Sequence, residues 1–136
     1  MAGPRILIVE DHIFFSEALR MLLGRRLSEE HDEQAEFRLA ATVADGLRIA
    51  EEEGPFDVAV VDLMLPDGDG TEVVRRIKAA YPQTRVAVLS SVRNLSEALA
   101  AGADEALGKD VPLSVIIEAL GSLASDEGRP ATTLGE

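Results

Sequence analysis

Glu10-Asp11, Asp62, Ser90-Ser91 and Lys109 are the residues of this chain best suited to act together. Three carboxylates brought close repel one another, which raises at least one pKa unless a cation joins them. Oxygen donors with room for water suit Mg²⁺, a hard ion that keeps several of its waters. A carboxylate is also a nucleophile toward phosphorus, forming an aspartyl phosphate. An ammonium beside the metal then neutralises charge on the phosphoryl oxygens, and a hydroxyl can hydrogen-bond the product. Taken singly, each residue has a plainer explanation. Asp11 fits a helix N-cap. Asp62 heads a loop with Asp67 and Asp69 that turn chemistry alone would explain. Serines in strand-to-helix loops usually cap, and most lysines are solvated. The joint reading depends on one thing: the fold must bring all of these residues to one edge.

The hydrophobic pattern predicts such a fold. Arg5–Val9 is a short apolar run ending at Glu10-Asp11. Ile13–Leu27 has helical spacing, with Phe15, Leu19, Leu22 and Leu23 facing inward. An acidic connector, Ser28–Glu36, leads to a candidate strand at Phe37–Ala41 and a helix at Ala44–Glu53, stopped by Gly54-Pro55. Val58–Val61 is apolar on both faces, as a central parallel strand requires, and ends at Asp62. A turn-rich loop, Pro66–Gly70, precedes a helix ended by Pro82. Arg85–Leu89, a short helix at Leu95–Ala101 and a weak strand at Glu105–Leu107 follow, then a helix from Pro112 to Ala124. Alternation of this kind predicts an α/β fold: a doubly wound five-stranded parallel sheet with helices on both faces. Ligands in such sheets bind at the strands' carboxyl ends, near the topological switch point. Glu10-Asp11, Asp62, Ser90-Ser91 and Lys109 each follow a strand. We expect one domain over 1–124 and a disordered polar tail over 125–136.

Composition narrows the function. The chain has 136 residues, 46% of them hydrophobic, enough for a core without staples. With no cysteine there is neither a disulfide framework nor a cysteine metal site. A net charge of −12 argues against direct nucleic-acid binding. The opening apolar run is too short for a signal peptide, and no run reaches membrane-spanning length, so we expect a cytoplasmic protein. Of 13 basic residues only two are lysines, Lys78 and Lys109.

The segments RILIVEDH, DVAVVDLMLPDGDG, VAVLSS and AGADEALGKD resemble the receiver domains of two-component response regulators. The similarity runs from Arg5 to about Ala124. It implies a flavodoxin-like fold and a phosphorylation-dependent switch. Asp62 matches the phosphoacceptor. Glu10 and Asp11 match the acids that hold Mg²⁺, Asp11 more directly, and Met64 matches the residue whose backbone carbonyl also ligates the metal. Ser90 matches the switch hydroxyl, and Lys109 the lysine that pairs with the phosphoryl group. Pro66 and Gly68 shape the loop after the acceptor. The implied partners are a sensor histidine kinase or phosphotransfer protein and a downstream protein effector, with the chain itself a monomer or weak homodimer. The chemistry is self-directed, so the resemblance does not imply an enzyme in the ordinary sense.

Three features depart from the family pattern. Ala106 and Leu107 stand where an aromatic ring is usual before the lysine. The interval from Ser90 to Lys109 is about three residues short, close to one helical turn, so the fourth helix is expected to be shortened. The Ser28–Glu36 connector is long. His12, beside the acids, reads as a surface residue at the start of the first helix. Phe15 fits that helix's apolar stripe, and Phe14 is left for a contact surface. Three alternatives remain. A pseudo-receiver would bind partners without phosphorylation. The isolated regulatory domain of a DNA-binding regulator would act through a separate part, and no helix-turn-helix follows Ala124. A Mg²⁺-dependent phosphatase would want an aspartate at position 64, which is Met64.

Overall fold

A computed structural model of the chain describes residues 3–30, 34–91 and 95–125. The middle of the acidic connector and the tail beyond Ser125 lie outside the described residues. The elements, in chain order, are β1 (Arg5–Val9), α1 (Ile13–Ser28), β2 (Glu36–Ala40), α2 (Val43–Glu53), β3 (Val58–Asp62), β4 (Met64–Leu65), β5 (Gly68–Asp69), α3 (Thr71–Ala80), β6 (Arg85–Ser90), α4 (Leu95–Ala100), β7 (Glu105–Gly108) and α5 (Leu113–Ala124). Five strands form one parallel sheet in the order β2-β1-β3-β6-β7.

Alternating side chains give the sheet two apolar faces. Leu7, Val9, Ala59, Val61, Val86 and Val88 pack against α2, α3 and α4 through Ile49, Val73, Val74, Ile77 and Ala98. Ile6, Ile8, Val58, Val60, Ala87 and Leu89 pack against α1 and α5 through Leu19, Leu23, Leu27, Ile116, Ile117 and Leu120. Every residue of β3 is buried, which is why its sequence shows no polar alternation.

After β2 the chain crosses back over β1 and lays β3 on its other side. This reversal opens a crevice between the carboxyl ends of β1 and β3. Val9 pairs with Val61, so Glu10 comes level with Asp62.

Among the described residues the fourth helix covers Leu95–Ala100. Its seam with β7 is built of alanines: Ala98, Ala101, Ala103 and Ala106. Gly102, at φ +116°, closes the helix in the left-handed region that favours glycine. Lys78 lies away from the crevice. Its ammonium donates to the carbonyls of Pro82 and Thr84 and to Asp104 Oδ2.

The segment expected to be a plain turn-rich loop holds a small antiparallel ladder, with Met64 opposite Asp69 and Leu65 opposite Gly68. The tip of that hairpin reaches α2. Asp67 accepts from the first free amides of the helix, Val43 N at 2.7 Å and Ala44 N at 3.0 Å. Thr42 Oγ1 caps Asp45 N at 3.0 Å. These bonds favour the ionised form and hold the Asp67 carboxyl below its ordinary pKa. A depressed carboxylate pKa contributes stability above the unfolded-state value, and that contribution is lost as pH falls through the folded value. Asp67→Ala should therefore lower the unfolding midpoint at neutral pH. The gap from wild type should close below the carboxylate range, as followed by thermal unfolding at several pH values.

Candidate functional site

The crevice collects the expected residues. Asp62 ends β3 and is 4% exposed; Glu10, just past β1, is 5% exposed. Lys109 follows β7. Its ammonium sits 2.8 Å from Glu10 Oε1 and 3.1 Å from Asp62 Oδ2. The contact to Asp62 is a hydrogen bond. The contact to Glu10 is an ion pair that leaves Oε1 without a well-angled hydrogen bond. Asp62 Oδ1 accepts the backbone N–H of Met64 at 3.1 Å. Asp11 stands at the mouth, exposed. Ser90, the last residue of β6, is buried. Lys109 N donates to the Ser90 carbonyl at 2.8 Å, which fixes the lysine beside the serine.

Burial pushes the Asp62 carboxyl up, and the nearby charge of Glu10 adds to this; Met64 and Lys109 only partly offset it. Burial alone would lower the pKa of Lys109, but its pairing with Glu10, and then with Asp62, outweighs that and raises it. The ammonium is thus held charged between two carboxylates.

Among the described residues, Glu10, Asp11, His12 and Asp62 offer ligand atoms that all lie within 4.8 Å of one another. Three carboxylates with ligand atoms this close are a donor set that fits a hard divalent cation. The Met64 side chain is exposed, so only the backbone of that residue is positioned at the acceptor.

Some participants were not evident from residue types. The Phe15 ring lies under the Lys109 ammonium, 4.8 Å from Nζ to its centroid, a placement that needs α1 packed beside the end of β7. Gly70 opens α3, and its N–H donates to Leu63 O at 2.8 Å. A Cβ there would overlap the Asp62 carbonyl oxygen and lie 3.0 Å from Leu63 Cα. The loop signal had pointed to Gly68 instead. His12 is exposed, as expected, yet its Nδ1 lies 3.0 Å from Glu10 Oε2. Phe14 is 89% exposed.

The Response regulator receiver domain family matches residues 6–121. The chain is 34% identical over 121 residues to the response regulator protein PilR of Pseudomonas aeruginosa, covering 87% of this chain and 25% of PilR. It is 32% identical over 128 residues to the photosynthetic apparatus regulatory protein RegA of Rhodobacter capsulatus, covering 92% of this chain and 64% of RegA. The chain therefore spans between a quarter and two thirds of these relatives. Among solved structures, a CheY-like receiver domain protein from Methanospirillum hungatei superposes with a TM-score of 0.79 at 26% identity, covering 93% of this chain and 98% of that one. A response regulator from Burkholderia pseudomallei with a phosphorylated aspartic acid superposes with a TM-score of 0.73 at 25% identity, covering 93% of this chain and 71% of that one. This chain belongs to the response regulator receiver domain family.

Three substitutions test the electrostatics and packing. Lys109→Ala leaves two buried carboxylates uncompensated and should destabilise the fold by about 3 kcal/mol in urea titrations. Asp62→Asn keeps an acceptor for Met64 N but removes the buried charge. In metal-free buffer at neutral pH it should raise the melting midpoint, and the gain should shrink as acid protonates Asp62 in the wild type. Gly70→Ala should lower the melting midpoint, because both clashing atoms belong to backbone.

Proposed function

We propose that the chain is a phosphorylation-dependent switch whose acceptor is Asp62. The observation that carries this reading is the Lys109 ammonium bridging Glu10 and Asp62 at the switch point of a receiver fold. Asp62 is positioned for nucleophilic attack: one oxygen is anchored by Met64 N and the other faces Lys109. An Asp62 oxygen bonds to phosphorus as the phosphorus–nitrogen bond of a donor phosphohistidine breaks and the donor's imidazole leaves. A small acyl phosphate can replace the phosphohistidine donor. Asp11, Asp62, Glu10 and the Met64 carbonyl would hold Mg²⁺. Bound there, the ion would neutralise charge on the phosphoryl oxygens.

The product carries up to two more negative charges in a confined crevice. Lys109 is already charged and half-buried beside the acceptor, so it exchanges a carboxylate partner for a phosphoryl oxygen. The Ser90 hydroxyl is drawn to the same group, and because Lys109 N is bonded to the Ser90 carbonyl the two loops move together. Moving such a switch from mostly off to mostly on takes roughly 5.5 kcal/mol, within reach of a few charge-assisted hydrogen bonds and loop repacking. With alanine at 106, readout falls to α4 and its alanine seam rather than to a swinging ring. The reaction changes only the chain itself, so the protein is a switch and not an enzyme.

In this reading a sensor histidine kinase or phosphotransfer protein supplies the phosphoryl group, and a protein effector reads the result. Any nucleic-acid contact would lie outside this acidic chain. Among the described residues no helix is long and apolar enough to cross a membrane.

Incubation with acetyl phosphate and Mg²⁺, followed by intact-protein mass spectrometry, tests this. Wild type should gain one phosphoryl group; Asp62→Asn and metal-free samples should not. Lys109→Ala should give little modification even where it remains folded. Failure to modify wild type, with no beryllofluoride binding either, would rule out the phosphoswitch and favour a pseudo-receiver.

A further inference from the structure

We propose that Phe15 is a positioning residue for phosphoryl acceptance: its ring face holds the Lys109 ammonium beside Asp62 while that ammonium changes partners. This rests on reading Asp62 as the acceptor.

The Lys109 ammonium touches two carboxylates and one ring. Glu10 Oε1 is 2.8 Å away and Asp62 Oδ2 3.1 Å. The Phe15 ring centroid is 4.8 Å from Nζ, inside the roughly 6 Å reach of a cation–ring attraction. The lysine side chain is 16% exposed, so little water screens the contact. Phe15 itself is half-buried, packed against the core shared by the sheet, α1 and α5. It sits in the first turn of α1, where Ser16 N donates to His12 O at 3.0 Å and Ser16 Oγ to Ile13 O at 3.1 Å. The ring is therefore carried by the same continuous stretch, β1 into α1, that carries Glu10. Lys109 arrives from β7, which has no aromatic of its own: Glu105–Gly108 reads Glu-Ala-Leu-Gly.

The ring differs in kind from the other two neighbours. Both carboxylates are anions that an incoming phosphoryl group repels or replaces. A ring face attracts a cation and repels an anion, so it keeps its hold on the ammonium without competing for the phosphoryl oxygens. A lysine ammonium is strongly hydrated and rides on a flexible stem. Once a carboxylate contact lengthens, such a group is drawn toward water. The ring opposes that drift at the moment of exchange. The plainer role for Phe15 is packing, and packing depends on shape and apolarity but not on the charge of the ring face.

That difference is the basis of the test. In the full chain Phe15 is replaced by phenylalanines bearing one, two and three ring fluorines, which drain the ring face of negative charge while nearly keeping its shape. The chain has only two lysines, Lys78 and Lys109, so isotope labelling of lysine side-chain nitrogen gives two ammonium signals by magnetic resonance, assigned with Lys109→Arg. In metal-free protein the Lys109 ammonium should exchange its hydrogens with water faster at each fluorine, while Lys78, away from the ring, stays constant. Modification by acetyl phosphate with Mg²⁺ should slow in the same order, by about tenfold at three fluorines. The loss should fall in the maximal rate rather than in the acetyl phosphate concentration that half-saturates it. Phe15→Leu, apolar but without a ring face, should match the trifluoro variant. The proposal is overturned if Lys109 exchange is the same across the fluorine series, or if exchange responds while the maximal rate does not. Wild type that shows the exchange response but takes no phosphoryl group would count against Asp62 as acceptor, and leave the hold of Phe15 on Lys109 established.

Discussion

Two ionised carboxylates buried side by side repel unless a cation compensates them, and in this chain Lys109 supplies it. The lysine follows the last strand of the sheet, while Glu10 and Asp62 follow or end β1 and β3. Its ammonium reaches both, at 2.8 and 3.1 Å. Without that bridge the sheet's carboxyl edge would carry two uncompensated charges in surroundings that desolvate them. The bridge ties the ends of β1, β3 and β7 together at the switch point of the sheet. It also leaves the site ready to respond, because the ammonium can exchange a carboxylate for a more highly charged group.

The surroundings support this pair in different ways. Phe15 puts a ring face under the ammonium. Met64 N fixes one oxygen of the acceptor. Gly70 lets the α3 N-terminus press against the acceptor's own carbonyl. Asp67 fastens the tip of the following hairpin to α2. The acceptor loop is thus anchored on both sides, and strain introduced at Asp62 has few directions in which to relax. The side toward β6, β7 and α4 is built differently. Alanines line that seam, and the described part of α4 runs only from Leu95 to Ala100. Small side chains interlock less than large ones, which makes this the softer flank of the site.

A strand in a parallel sheet places its last residue at the same edge as its neighbours, so five apolar runs alternating with helical patterns already imply where their polar ends meet. Glu10, Asp11, Asp62, Ser90 and Lys109 were legible for that reason. The β4–β5 ladder was not legible, because two-residue strands rich in Asp and Gly carry turn chemistry and no hydrophobic period. Gly70 was hidden for a similar reason: its constraint comes from a carbonyl eight positions away that only the folded chain brings close.

The sequence by itself determined the fold class, the residues at the strand ends and the chemistry those types can do together. These depend on local periodicity and on the handedness of parallel crossovers, which act over short stretches of chain. The tertiary structure alone decided which charges are buried and with whom they pair. Glu10 and Asp11 are neighbours with similar side chains, yet one is enclosed against Lys109 and the other stands in solvent. His12 turns to Glu10 rather than capping its helix, and Asp67 serves α2 rather than its own turn. Such outcomes follow from distances between segments far apart in sequence, and from the desolvation that packing imposes, neither of which residue type or spacing encodes.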